Sequence, residues 1–369
     1  MIPFHSNSKQ HDELSHELAK ALGSIDLTDD TAFAGAVERF EHALADYCQV
    51  DAAIAVASGT DALIIALRAL DAPPGAEVIT CDFGFYATAA SIVMAGFTPV
   101  FVDVGPDRMV MDLDAVRDAI SPKTAAIVPV HLFGEAIDMK ALKEIADQHS
   151  ITIVEDVAQA LGARSAGQYV GSFGAASGIS FNWSKHLSSF SNGGAVLTND
   201  REIAARARSL RGHGNAGGFR HTRMGLNSRL NPFEAALLSA KLPHLDTWIA
   251  RRQEIAARYM RNFASSPNVV TPTATKVGAH VYHKYTIRVP DRDGLRQKLA
   301  DRGIGTLVCY PWLLHDQPAF EGHALRAHSS DRATEVAAEV ISIPVYPELT
   351  DAEVDFISET IVSYVESAS

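Results

Sequence analysis

Between residues 52 and 198 short apolar runs alternate with segments of helical spacing, and this alternation narrows the possible folds more than any other feature of the chain. Residues 52–57, 77–81, 98–104, 125–130, 151–154, 177–181 and 195–198 are short and apolar, so they read as strands. Helical patterns over 62–70, 86–95, 113–120 and 138–148 separate several of them. Strands interleaved with helices predict an α/β fold with a mostly parallel sheet covered on both faces. In such sheets ligands gather at the carboxyl ends of the strands.

Upstream, residues 9–22 and 31–47 read as amphipathic helices, the second with Phe33, Val37, Phe40 and Leu44 at three- and four-residue steps. Downstream, a long helical stretch is expected over 232–263. After it, short strands at 285–289 and 305–310 alternate with helices at 293–301 and 351–366. This pattern predicts a large domain, 1–245, and a smaller C-terminal α+β domain, 246–369.

With 47% hydrophobic residues the chain can bury a large core. A net charge of -12 argues against a nucleic-acid partner, because phosphate binding needs clustered Lys and Arg. The densest basic stretch, Arg201–Arg211, has Ala and Leu at helical spacing and reads as a solvated helix face. The 3 cysteines, Cys48, Cys81 and Cys309, lie far apart, as expected of reduced thiols. No apolar run reaches membrane-spanning length, and Met1-Ile2-Pro3-Phe4-His5 does not open a signal peptide. A soluble cytoplasmic protein is expected. None of the 15 histidines forms a ligand pair with zinc-like spacing, so no metal site is expected.

The chemistry-bearing residues fall at the strand ends. Ser58-Gly59-Thr60-Asp61 ends one strand and opens a helix, whose free N-terminal amides favour an anion such as phosphate. The same residues also suit a plain helix cap by Ser58 or Thr60. Phe85 follows the 77–81 strand and either stacks on a flat ligand or belongs to the core. Asp156 ends the 151–154 run, between Val154 and Val157, and a buried carboxylate there requires a partner. Gln159 is three residues on. Lys185 follows Ile179-Ser180-Phe181-Asn182-Trp183-Ser184. Exposure is the ordinary state of lysine, but the apolar flanks favour burial here. A buried lysine can lose its charge and act as an amine nucleophile. In chain order these residues supply an anion turn, a ring face, a carboxylate and an amine. Together they describe a site for pyridoxal 5'-phosphate, with Lys185 as the Schiff-base lysine and Asp156 pairing the pyridinium.

Several motifs resemble the DegT/DnrJ/StrS family of sugar aminotransferases, of the aspartate aminotransferase fold class (three-layer, fold type I). They are Ser58-Gly59-Thr60-Asp61-Ala62-Leu63, Gly84-Phe85-Tyr86-Ala87-Thr88, Pro129-Val130-His131-Leu132-Phe133-Gly134 and Glu155-Asp156-Val157-Ala158-Gln159-Ala160, followed by Gly225-Leu226-Asn227-Ser228-Arg229-Leu230 and Leu314-His315-Asp316-Gln317-Pro318-Ala319-Phe320. The resemblance implies that Lys185 carries the cofactor and shuttles the proton, that Asp156 pairs the ring nitrogen and that Gln159 lies near the ring hydroxyl. It further implies that Phe85 stacks on the ring and that Gly59, Thr60 and Ser180 hold the phosphate. It implies a homodimer in which Asn227 reaches the other subunit's phosphate. The implied reaction moves an amino group from glutamate or glutamine to a keto acceptor, by default a nucleotide-linked keto sugar.

The chain departs from the family at two places near the substrate. Asn192 fills a usually acidic position before Gly193-Gly194, and Cys309 stands where a histidine is common. Ser188 and Ser189 are also unusual. Other readings follow from these departures: a dehydration, a decarboxylation or other carbon–nitrogen chemistry on a non-sugar substrate, or a non-catalytic regulator on the same fold. Arg220, Arg223 and Arg229 suit either a diphosphate or a dimer interface.

Overall fold

The computed structural model describes residues 1–25, 30–272 and 278–367. Its central sheet has eight strands: β1 (Ala52–Val56), β2 (Glu77–Cys81), β3 (Thr98–Val102), β4 (Thr124–Val128), β5 (Thr152–Asp156), β6 (Ala176–Ser180), β7 (Gly194–Thr198) and a short edge strand at Leu325–Arg326. The spatial order is β1-β7-β6-β5-β4-β2-β3, with the edge strand beside β3. Every neighbouring pair is parallel except those of β7, which runs antiparallel to both β1 and β6. The carboxyl ends of β1, β2, β5 and β6 therefore share one edge of the sheet, and β7 begins there.

The strands are almost wholly buried because helices cover both faces. On one side the helices Gly59–Ala69 and Arg201–Arg211 pack Ile65, Leu67, Ile203 and Leu210 against Ile54, Val78, Val154 and Val196. The other face packs Phe40 and Leu44, from the helix Asp30–Cys48, against Ile79, Ile127, Ile179 and Leu197. Phe33, expected on the same stripe, has its side chain outside the described residues.

A second core gathers Ile255, Tyr259, Tyr285, Ile287, Leu299, Ile341, Val354 and Ile361 around an antiparallel pair, β8 (Tyr285–Arg288) and β9 (Val340–Ile343). The helix Leu245–Phe263 contributes to both cores: Leu245, Trp248 and Ile249 to the first, Ile255 to Phe263 to the second.

Three local expectations change. The 232–263 helix is two helices, Pro232–Lys241 and Leu245–Phe263, joined by a 3-10 turn at Leu242–His244. Pro243 is the reason, since it brings no N–H to the helical ladder. The 9–22 helix is likewise split, at Leu14. Residues 305–310 are not a strand: only Leu307 pairs, as an isolated bridge to Ser342.

Candidate active site

A cavity of about 320 Å³ opens at the shared strand edge. Its first wall is the turn after β1. Ser58 is the cap of the following helix, its Oγ accepting from the Asp61 amide at 3.0 Å. The cap leaves the Gly59 and Thr60 amides uncommitted to the helix, and both residues line the cavity. The cap by Ser58 therefore coexists with free amides facing the cavity. Asp61 turns away to accept from Ser228 Oγ at 2.7 Å. Packing is extreme here: a Cβ on Gly59 would lie 2.6 Å from Ser180 Cβ, and one on Gly194 would lie 2.4 Å from the Ser58 carbonyl oxygen.

Asp156 forms the cavity floor. Thr88 Oγ1 donates to Asp156 Oδ2 at 2.7 Å and the Ala158 amide to Oδ1 at 3.0 Å. Burial pushes the carboxyl above its ordinary range, against the pull of Thr88 and Ala158. Such a group calls for a cation opposite it. Its neighbour Glu155 is fully buried and accepts from the Gly171, Phe173 and Gly174 amides at 2.7, 2.9 and 2.9 Å. The Ile137 amide donates to His131 Nδ1, which leaves the ring proton on Nε2, 3.2 Å from Glu155 Oε2.

Lys185 follows β6 on a tight turn. Asn182 Oδ1 accepts from the Ser184 amide and hydroxyl, and the Lys185 amide donates to the Asn182 carbonyl at 2.8 Å. The amine lines the cavity, where burial, with Lys284 nearby, pulls it down to about 7. At neutral pH a large share of it is uncharged and nucleophilic.

Other expected residues fall variously. Phe85 is 51% exposed and lines the cavity, so it is not core. Gln159 Oε1 accepts from the Phe133 amide at 3.0 Å, and its Nε2 donates to the Tyr310 hydroxyl at 3.3 Å. Ser180 lines the cavity beside Gly59. Asn227 does not line it; it is exposed, on a bridge to Gly212. Asn192 does line it and accepts from Asn182 Nδ2 at 2.9 Å. Cys309 lines it too, while Ser188 and Ser189 do not. Ser188 instead receives the buried Lys241 ammonium, at 2.6 Å on its carbonyl and 2.9 Å on its hydroxyl. Thr88, Lys284 and the wall role of Tyr310 were not identified from sequence. Thr88 carried a signal, one helical turn past Phe85. Tyr310 had only its place beside Cys309, and Lys284 had none, because the second part of the chain must fold over before it reaches the site.

The family model for the DegT/DnrJ/EryC1/StrS aminotransferases matches residues 13–362. The chain belongs to that family. The pleiotropic regulatory protein of Geobacillus stearothermophilus is 39% identical to this aminotransferase over 98% of both chains. The dTDP-3-amino-3,4,6-trideoxy-alpha-D-glucose transaminase of Streptomyces venezuelae is 40% identical over 94% of this chain and 92% of its own. Among solved structures, S. venezuelae DesV in complex with a ketimine intermediate superposes with a TM-score of 0.93. It is 38% identical, over 99% of this chain and 98% of that one. The cofactor of this aminotransferase is pyridoxal phosphate. Its residues fit that group on their own terms: a cavity large enough for a flat ring with a phosphate, a glycine cradle that any side chain would fill, a depressed amine and a buried carboxylate that forms no direct ion pair among the described residues. Among the described residues no helix is long and apolar enough to cross a membrane.

Proposed function

We propose that this aminotransferase moves an amino group from glutamate or glutamine to a nucleotide-linked keto sugar, in amino-sugar or secondary-metabolite biosynthesis, as a cytoplasmic homodimer. The observation that carries the reading is the meeting of the Lys185 amine and the Asp156 carboxylate in one cavity with the anion turn. The sugar-nucleotide acceptor rests on the named activity of the S. venezuelae relative.

When bound, pyridoxal phosphate makes the donor's α-hydrogen acidic by drawing electrons into its ring. Gly59, Thr60 and Ser180 would hold its phosphate, and Phe85 would stack on one ring face. Asp156 would keep the ring nitrogen protonated, with Thr88 holding the carboxylate in place. Gln159, fixed by the Phe133 amide, would sit beside the ring hydroxyl. Lys185 would take the donor's α-proton and hold it for return, and an amine near neutrality suits both directions. Donor and acceptor then share one site in turn, which requires ping-pong kinetics.

Asn227 would reach the phosphate of the partner's site, in keeping with its exposure outside its own cavity. Exposed Trp183, Phe190, Phe219, Met224 and Trp312 supply apolar surface for such a dimer. The acceptor's diphosphate would draw on Arg220 or Arg229, since Arg223 is held by Asp71 at 2.5 and 2.8 Å. The division into domains 1–245 and 246–369 belongs to the same reading.

The name of the Geobacillus relative favours a second reading, a regulator that binds the cofactor without turnover. Single-turnover spectra separate the two. Glutamate or glutamine should convert the yellow form to the pyridoxamine form, and a keto sugar should restore it. If neither amino acid shifts the band, transamination is excluded.

A further inference from the structure

We propose that Lys284 binds the α-carboxylate of the amino donor. The inference rests on the transaminase reading and adds a residue to it. Lys284 stands immediately before β8, at the start of the second core, and its side chain lines the cavity shared with Lys185. It lies close enough for its charge to disfavour the protonated form of Lys185.

Its surroundings leave it short of an anion. Nζ lies 3.2 Å from His283 Nε2, and no carboxylate among the described residues pairs with it. Burial holds the His283 ring neutral, so it accepts one Nζ hydrogen and leaves two. Cys309, the one other group that favours the charge, is kept a thiol by its own burial. Asp156 is already engaged by Thr88 and Ala158 and serves the ring. A desolvated ammonium with free donors and no counter-ion is costly unless a ligand supplies one.

The donor supplies that anion in the right place. An α-amino acid carries its carboxylate on the same carbon as the amine that displaces Lys185. Whatever seats that carbon beside Lys185 must also receive a carboxylate there. The keto acceptor has no carboxylate at its reacting carbon. Lys284 would therefore favour the donor without tightening the acceptor, and a charge-assisted hydrogen bond suits the task.

The test uses the holoenzyme, with Lys284→Met and the charge-conserving Lys284→Arg. The half-reaction is followed with L-glutamate and with L-glutamine, and the affinity for glutarate, an unreactive dicarboxylate, is read from the visible band. Retained colour and borohydride trapping on Lys185 show that each variant is folded and loaded. In Lys284→Met we expect the KM for both amino acids and the Kd for glutarate to rise at least about tenfold, because truncating one partner of a buried charge pair weakens binding by that much or more. The limiting rate should stay within about fivefold, as expected when ground-state and transition-state binding are lost together. Lys284→Arg should recover most of the affinity. A loss with glutamate alone would assign Lys284 to the γ-carboxylate and overturn the proposal. So would unchanged KM and Kd, or a fall in limiting rate alone, which would mean that Lys284 acts through Lys185. If the wild type converts neither amino acid, transamination fails and the donor role of Lys284 with it, and the glutarate comparison then shows only whether Lys284 binds a carboxylate.

Discussion

Glu155 and Asp156 are consecutive on β5 yet serve different parts of the molecule. Glu155 is spent on three backbone amides and His131, while Asp156 is held by Thr88 and Ala158 and faces the cavity. Strand geometry produces the split, since neighbouring side chains leave opposite faces. One carboxylate builds the scaffold and the other is left to the cavity.

Glu155→Ala should therefore damage the fold rather than the chemistry. It strands the Gly171, Phe173 and Gly174 amides. A loss of about 3 kcal/mol or more is expected for removing a buried, fully engaged carboxylate. Urea unfolding of the apoprotein measures it.

Asp156→Asn should do the reverse. The fold should survive, and the half-reaction with glutamate should slow by about a hundredfold or more, because the charge opposite the ring nitrogen is gone. Thr88→Val removes only one hydrogen bond to that charge and should cost about tenfold. Stopped-flow absorbance reads both.

The pH behaviour of Lys185 has a definite sign. Its amine is drawn down to about 7, so it is protonated and inert below that pH and free above it. Capture of pyridoxal phosphate by the apoprotein should rise through pH 7 and level off above pH 8. An unperturbed lysine would keep rising to about pH 10. Measuring the capture rate between pH 5.5 and about 10 distinguishes the two curves.

Gly59→Ala tests the cradle. Its new methyl would lie 2.6 Å from Ser180 Cβ. Overpacking of this kind costs about 1–3 kcal/mol. Calorimetry should show a lower Tm, and a cofactor titration should show weaker binding. Pairing with Ser180→Gly should recover part of the Tm but not the cofactor affinity, because the Ser180 hydroxyl is itself proposed to hold the phosphate.

The cofactor side of the site was legible in the sequence because each part is local. Gly59, Asp156 and Lys185 sit where a strand ends and a turn begins, and such junctions are readable from composition and spacing. Phe85 was placed at its junction, but its exposure needed the structure. The opposite wall was legible only at Cys309. Lys284 and Tyr310 come from the far part of the chain and reach the cavity only by tertiary packing. The segment at 305–310 reads as a strand because Thr306, Val308 and Tyr310 have β propensity, yet only Leu307 finds a partner. The break at Pro243 was readable, and the apolar periodicity on either side of it concealed it. Asn227 is proposed to act at a second subunit's site, so its role depends on assembly and not on the fold of its own chain.

β7 separates the anion turn from the lysine strand, pairing Gly194 with Val56 on one side and with Ser180 on the other. The two points proposed to anchor the cofactor are thus spaced by hydrogen-bond register rather than by loop length. A protein engineer could not transplant this pocket as a set of loops: three adjoining strands would have to travel together, because a slip of one residue in the middle one would turn its side chains over and push the anchors out of alignment.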